Sequence, residues 1–118
     1  MHLMNVECAI TNTSNHEGTI HLHAKVGEEV IGQTVALLVG RTIFLEDFRV
    51  LPDFRHQGIG TDLLDTTETL ARESGASSIV RIGMFCDTET LGDYIGAVNF
   101  FRYHGYSYYA VLLYKYLL

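Results

Sequence analysis

Apolar and polar residues alternate from Thr19 to Val26, with Ile20, Leu22 and Ala24 on one side and His21, His23 and Lys25 on the other. A period of two predicts a strand with one buried face. Val30 to Val39 is a second apolar strand, broken by Gly32, and Gly40-Arg41 reads as a tight turn into a third, Thr42 to Val50. Upstream, Val6 to Ile10 is short and strand-like, and Thr11 to Gly18 is polar with turn residues and no helical period. After Gly58 the period changes. Ile59, Leu63, Leu64, Leu70 and Ala71 share one helical face, and Gly75 suits the end of that helix. Ser78 to Phe85 predicts another strand. Thr90 with Asp93 has the spacing of a capping box, opening a second helix with a buried stripe of Leu91, Tyr94, Ile95, Val98 and Phe101 and a stop at Gly105. Ser107 to Leu117 predicts one long closing strand. The order β-β-β-β-α-β-α-β makes an α/β protein with one mixed sheet, an antiparallel meander followed by two βα units.

Composition narrows this picture. With 118 residues, one domain over residues 1–118 is expected. Hydrophobic residues make up 47% of the chain, which excludes a disordered one. No apolar run is long enough to span a bilayer and no basic-then-apolar leader opens the sequence, so the expectation is a cytoplasmic protein without a membrane partner. Eight basic residues against fourteen acidic ones give a net charge of −6. That weighs against nucleic acid, which needs a basic face, and suits a cationic amine better. Cys8 and Cys86 stand far apart and outside any metal spacing, as free thiols of a reducing cytosol would.

Candidate chemistry concentrates between the third strand and the first helix, in Val50-Leu51-Pro52-Asp53-Phe54-Arg55-His56-Gln57-Gly58-Ile59-Gly60. Two glycines at a helix mouth let the backbone approach a ligand closely. The first-turn N–H groups have no partner inside the helix, and the dipole is positive there, so phosphate is the natural guest. Arg55 adds a permanent cation suited to phosphate oxygens. His56 either adds to phosphate binding or is an ordinary loop residue. No Lys-Ser/Thr follows Gly60, so this is not a P-loop, and the dinucleotide spacing fails at Leu63.

Arg-x-x-Gly-x-Gly, with Val-x-Pro before it and Leu-Leu after it, resembles the acyl-CoA loop of the GNAT superfamily of CoA-dependent N-acyltransferases. A second resemblance lies in Ala97-Val98-Asn99-Phe100-Phe101-Arg102-Tyr103-His104-Gly105-Tyr106, which is similar to that family's closing motif, and the two together cover about residues 19 to 117. The resemblance implies a GNAT-like fold with acetyl-CoA as co-substrate and no metal. It implies that Arg55, His56, Gln57, Gly58, Ile59 and Gly60 wrap the pyrophosphate and that Phe48 and Val50 flank the pantetheine arm. The Val50 N–H would polarise the thioester carbonyl, and Glu46 would serve as base. Asp47 is the other carboxylate on that strand. Strand alternation puts Glu46 on the face of Phe48 and Val50, unless a bulge swaps the two. Both also fit as solvated strand carboxylates.

Three departures from the family pattern bear on function. The family usually carries two helices between its first and second strands, and Thr11 to Gly18 is too short for them. The acceptor site should then be open or completed by a second subunit, and a homodimer is expected in which the partner covers the Ser107–Leu117 region. The family's thiolate-protonating Tyr falls on Phe101, leaving Tyr103, Tyr106, Tyr108 or a water to supply the proton. The family's polar residue three before Ala97 is Tyr94. The expected function is acetyl transfer to a small-molecule or peptide amine by direct attack. The alternative is an acyl-CoA-binding module without catalysis. His21 and His23 have a metal-compatible spacing but no third ligand in view, and solvent-facing strand histidines fit equally. Cys86 reads as a small buried residue or a reactive thiol.

Overall fold

β1 (Cys8–Asn12), β2 (Thr19–Val26), β3 (Glu29–Val39) and β4 (Thr42–Val50) form an antiparallel meander in the computed structural model, which describes residues 8–14, 16–82, 91–109 and 112–117. The link from β1 to β2 is a plain turn. Asn12 Oδ1 accepts from the Ser14 amide and hydroxyl, and Ser14 Oγ accepts from the His21 N–H at 2.8 Å, so side chains satisfy the backbone where the ladder ends. A 3-10 turn at Pro52–Phe54 leads to α1 (Ile59–Glu73), then β5 (Ser78–Ile82), α2 (Leu91–Tyr103), β6 (Ser107–Tyr109) and β7 (Leu112–Tyr116). The sheet order is β1-β2-β3-β4-β5-β7-β6, with β4–β5 its parallel pair. The expected mixed sheet is therefore present, with one correction. The closing segment is two short strands forming a hairpin, Ser107 opposite Tyr114 and Tyr109 opposite Leu112, instead of one long strand. No Gly, Pro, Asn or Asp marks that turn, so the pattern runs on unbroken through it.

Both helices pack on one face of the sheet. Ile59, Leu63, Leu64 and Ala71 bury the inner side of α1 against Ile20, Leu22, Ile31, Ile43 and Leu45. α1 and α2 meet where Thr61 Oγ1 lies 3.1 Å from His104 Nε2. His104 Nδ1 is 2.8 Å from the Phe100 carbonyl and must donate to it, so in the neutral ring Nε2 accepts from the Thr61 hydroxyl. The expected α2 stripe needs correcting. Phe101 is buried, and Ala97, Val98 and Phe100 pack beside it, but Ile95 is 49% exposed. α2 is apolar nearly all round, so spacing alone does not select its inner face. The side chains of Leu91 and Tyr94, and residues 83–90 with Cys86 and Thr90, lie outside what the structure describes.

The opposite face of the sheet is bare among the described residues. Register places Leu37 beside Phe44 and Phe44 beside Val80, and in the next row Val39 beside Thr42, Thr42 beside Ser78 and Ser78 beside Tyr116. Leu37, Val39, Phe44 and Tyr116 are all exposed there. No described helix is long and apolar enough to cross a membrane.

Candidate functional site

The parallel ladder between β4 and β5 runs from Thr42 opposite Ser78 to Leu45 opposite Arg81, and stops. Beyond that point β4 continues to Val50 and, among the described residues, Asp47 to Val50 pair only with β3, while β5 pairs with β7. Among the described residues the two central strands thus part into a fork, and Glu46 to Val50 form an open edge about 17 Å long at about 3.4 Å per residue. The Leu51 N–H donates to the Ile31 carbonyl on β3 at 2.8 Å. Backbone groups alternate sides along a strand, so the N–H and C=O of Phe48 and Val50 point into the fork.

A bulge sits at the head of this edge. Val35 pairs with Asp47 and Ala36 with Leu45, which leaves Glu46 as the extra residue. The irregularity lies at Glu46, and regular alternation resumes with Asp47. Glu46 is exposed, and Phe48 and Val50 share the helix-side face beyond it. Asp47 turns to the bare face, where Gln33 Nε2 donates to Oδ2 and Arg49 Nε lies 2.9 Å from Oδ1. Arg81 closes the fork. It is 2% exposed, and its Nη1 donates to the Leu45 carbonyl at 3.1 Å and the Glu46 carbonyl at 2.8 Å.

At the other end of the edge the chain makes a cradle of amides. Arg55 Nε donates to the Val50 carbonyl at 2.8 Å and folds the loop back on β4. His56 has φ 64° and Gly58 φ 85°, so left-handed residues stand on both sides of Gln57. Such a conformation at a non-glycine residue is uncommon and gathers successive N–H groups toward one point. The first helical bond is Asp62 N–H to the Gly58 carbonyl at 3.0 Å. The amides of Ile59, Gly60 and Thr61 therefore have no intrahelical partner, and the Gly58 N-cap brings no side chain to them. With Asp53 and Asp62 nearby, attraction for an anion comes from these amides and from Arg55, not from net charge.

An aromatic wall lies over the fork on the helix side. The Phe48 ring is 5.7 Å from Phe100 and 5.4 Å from Phe101. The Phe100 ring is also what a Cβ on Gly60 would meet, at 3.3 Å, so this glycine lets α1 start directly against α2. Tyr103 is not part of this group. It is 87% exposed and its ring meets only that of His104 among the described rings, at 5.2 Å. Tyr106 is buried and donates to Glu68 Oε2 at 3.0 Å. Burial, then the neighbouring Glu68 carboxylate, pushes its phenol far above the usual tyrosine range. The Tyr108 side chain lies outside the described part.

Two charged residues escaped the sequence reading, Arg81 and Glu68. Each had a signal, a charge at an inward position of an otherwise apolar period. Glu68 is 5% exposed and also takes Lys115 Nζ at 3.2 Å, while Lys115 donates to the His104 carbonyl at 2.8 Å. His21 and His23 face away from the core with rings 4.7 Å apart. Among the described residues no group of three or more His, Cys, Asp and Glu is arranged to hold a metal.

Solved structures share this architecture. A GNAT family acetyltransferase from Elizabethkingia anophelis, solved with acetyl-CoA bound, superposes with a TM-score of 0.71 at 15% identity, over 97% of this chain and 99% of that one. The PaiA N-acetyltransferase of Thermoplasma acidophilum, in complex with coenzyme A, gives 0.69 at 16% identity over 84% of this chain and 61% of its own. Ard1 from Thermoplasma volcanium gives 0.70 at 21% identity, over 83% and 70%. At these identities the likeness speaks for the fold. The sequence itself matches the Acetyltransferase (GNAT) family over residues 3–106, which takes in the meander, the fork, the amide cradle and α2. A forked sheet opening onto an amide-lined helix mouth, within a family match of that extent, makes this chain a member of the GNAT acetyltransferase family.

Proposed function

We propose that this chain transfers an acetyl group from acetyl-CoA to an amine by direct attack. The observation that carries this is the open β4 edge, which ends at the amide cradle of α1. The cradle, Arg55 to Gly60, suits the pyrophosphate. The amide and carbonyl of Phe48 with the amide of Val50, whose carbonyl already takes Arg55 Nε, suit the amides of a pantetheine arm lying along the edge, so that the thioester lies toward Glu46 and not at the Val50 N–H. In the transfer the amine nitrogen forms a C–N bond to the thioester carbon. The C–S bond breaks with its electron pair leaving on sulfur, and the amine proton passes to a base. Glu46 stands at the head of the edge, exposed, and is the base we favour. The acceptor is a small-molecule or peptide amine, met in the cytosol.

Calorimetric titration with acetyl-CoA tests this directly. One-site binding is expected, with a stability gain of about 2.7 kcal/mol at roughly one hundred times the dissociation constant. Arg55→Ala should weaken binding about tenfold, because it loses a cation and releases the loop from the Val50 carbonyl. No binding at millimolar donor would remove the enzyme and its donor together. Binding without thiol release across an amine panel would favour a non-catalytic acyl-CoA module, a reading that the buried, protonless Phe101 supports.

We also propose a homodimer. The two helices that many relatives carry between their first two strands are replaced here by a short turn, and the sheet exposes Leu37, Val39, Phe44 and Tyr116. Sedimentation at micromolar concentration should give twice the 13.2 kDa chain mass, and Phe44→Glu should return it to monomer. A single species of chain mass in the unmodified protein would sink the dimer.

A further inference from the structure

Granting that the fork takes an acyl-CoA donor as proposed above, we infer that Arg81 is a positioning residue for the leaving sulfur. Three observations converge on it. The cradle that suits the donor's anionic end lies at the Val50 end of the open edge. An extended arm running along that edge, of similar reach to the edge itself, delivers its sulfur to the opposite end, where β4 and β5 part. Arg81 occupies that end, 2% exposed as a residue and bonded through Nη1 to the Leu45 and Glu46 carbonyls.

A buried guanidinium is always charged, and burial weakens the screening of its field. The electron pair of the breaking C–S bond collects on sulfur, so negative charge grows at the end of the fork where this cation sits. Stabilising the thiolate in this way needs no proton donor. Among the described residues it suits a site in which Phe101 and the aromatic wall bring no proton, Tyr103 is open to solvent, and the Tyr106 hydroxyl is committed to Glu68. The same guanidinium fixes the bulge. Two carbonyls that lose their ladder partners at the divergence are both held by Nη1, which sets where the edge begins and how Glu46 is presented.

The experiment uses CoA itself, whose thiol is titrated in the complex by thiolate ultraviolet absorbance, with the desulfo-CoA complex as blank. In the unmodified protein the bound thiol should titrate about one unit or more below that of free CoA. Arg81→Lys keeps the charge and should keep the shift. Arg81→Gln keeps a donor for the two carbonyls without the charge, and should return the thiol to its free value while CoA affinity changes by less than about tenfold. A thiol that stays low in R81Q, or rises in R81K, overturns the assignment. Failure of the unmodified protein to bind CoA overturns the donor itself, and is told apart because it arises before any substitution is made.

Discussion

Glu68→Ala is expected to lower the free energy of unfolding by about 3 kcal/mol, among the largest losses from any single truncation in this chain. Glu68 is 5% exposed on α1 and gathers the Tyr106 hydroxyl at 3.0 Å, Lys115 Nζ at 3.2 Å and Arg72 Nη2 at 3.6 Å. Removing the carboxylate leaves a buried phenol without its acceptor and a half-buried ammonium without its counter-charge. The Lys115 side chain is 26% exposed and keeps its bond to the His104 carbonyl, so water and that carbonyl limit the loss. Replacing Glu68 and Lys115 together by methionine should recover only the part owed to the ammonium, since the Tyr106 hydroxyl still lacks its acceptor. Urea unfolding measures all three proteins, and a loss below about 1 kcal/mol for the alanine variant would contradict this account. The same cluster sets an alkaline limit. The folded chain keeps the Tyr106 proton at a pH where the unfolded chain, with an ordinary tyrosine pKa of about 10, has lost it. This contribution to stability is complete below about pH 10 and declines above it by up to about 1.4 kcal/mol per pH unit, and Tyr106→Phe should remove that slope.

Gly60→Val should reduce acetyl-CoA affinity about a hundredfold, equivalent to about 2.7 kcal/mol. The first added carbon already meets Cε1 and Cζ of Phe100 at 3.3 Å. That ring is held in place by Phe48 at 5.7 Å, Phe101 at 5.4 Å and His104 at 4.4 Å, so it cannot simply swing aside. Two further methyl groups must therefore push the first turn of α1 away from α2 and carry the amides of Ile59, Gly60 and Thr61 off the cradle. Overpacking of this kind also costs about 1–3 kcal/mol of stability. Gly60→Ala adds only the first carbon and should weaken binding less than tenfold. Calorimetry on both variants decides the matter, and a valine variant that binds as tightly as the parent would show that these amides do not contact the donor.

What could be read from the sequence followed from how strictly each segment kept its period. β2 and α1 were legible because Ile20-Leu22-Ala24 and Ile59-Leu63-Leu64-Ala71 each admit one period, and the structure buries those residues. The β6–β7 hairpin was not, because its turn carries no turn-forming residue and the apolar pattern runs through it. The inner face of α2 was misjudged at Ile95 because nearly every side of that helix is apolar. The amide cradle was legible from Arg55 to Gly60 since local spacing determines it. The fork was not legible at all. It depends on where the β4–β5 register ends, and that is set by Arg81, whose partners Leu45 and Glu46 lie 36 and 35 positions away along the chain.

That separation governs how the molecule assembles. Strand partners within the meander close short loops, as with Val39 and Thr42 or Val26 and Glu29. The parallel seam must instead join Thr42 to Ser78, and the next pairing joins Ser78 to Tyr116. Loop-closure entropy rises with the length closed, and non-local pairings form late for that reason. The meander can therefore gather first, with the fork completed only when β5 docks beside β4 and the terminal hairpin seals its far side. In the folded protein the same seam, four residue pairs long, is all the hydrogen-bonded ladder that joins the meander to the remaining strands among the described residues. A fluctuation that melts those four pairs dismantles the cleft while leaving β1 to β4 intact, so binding competence and the survival of the meander are separable properties of this chain.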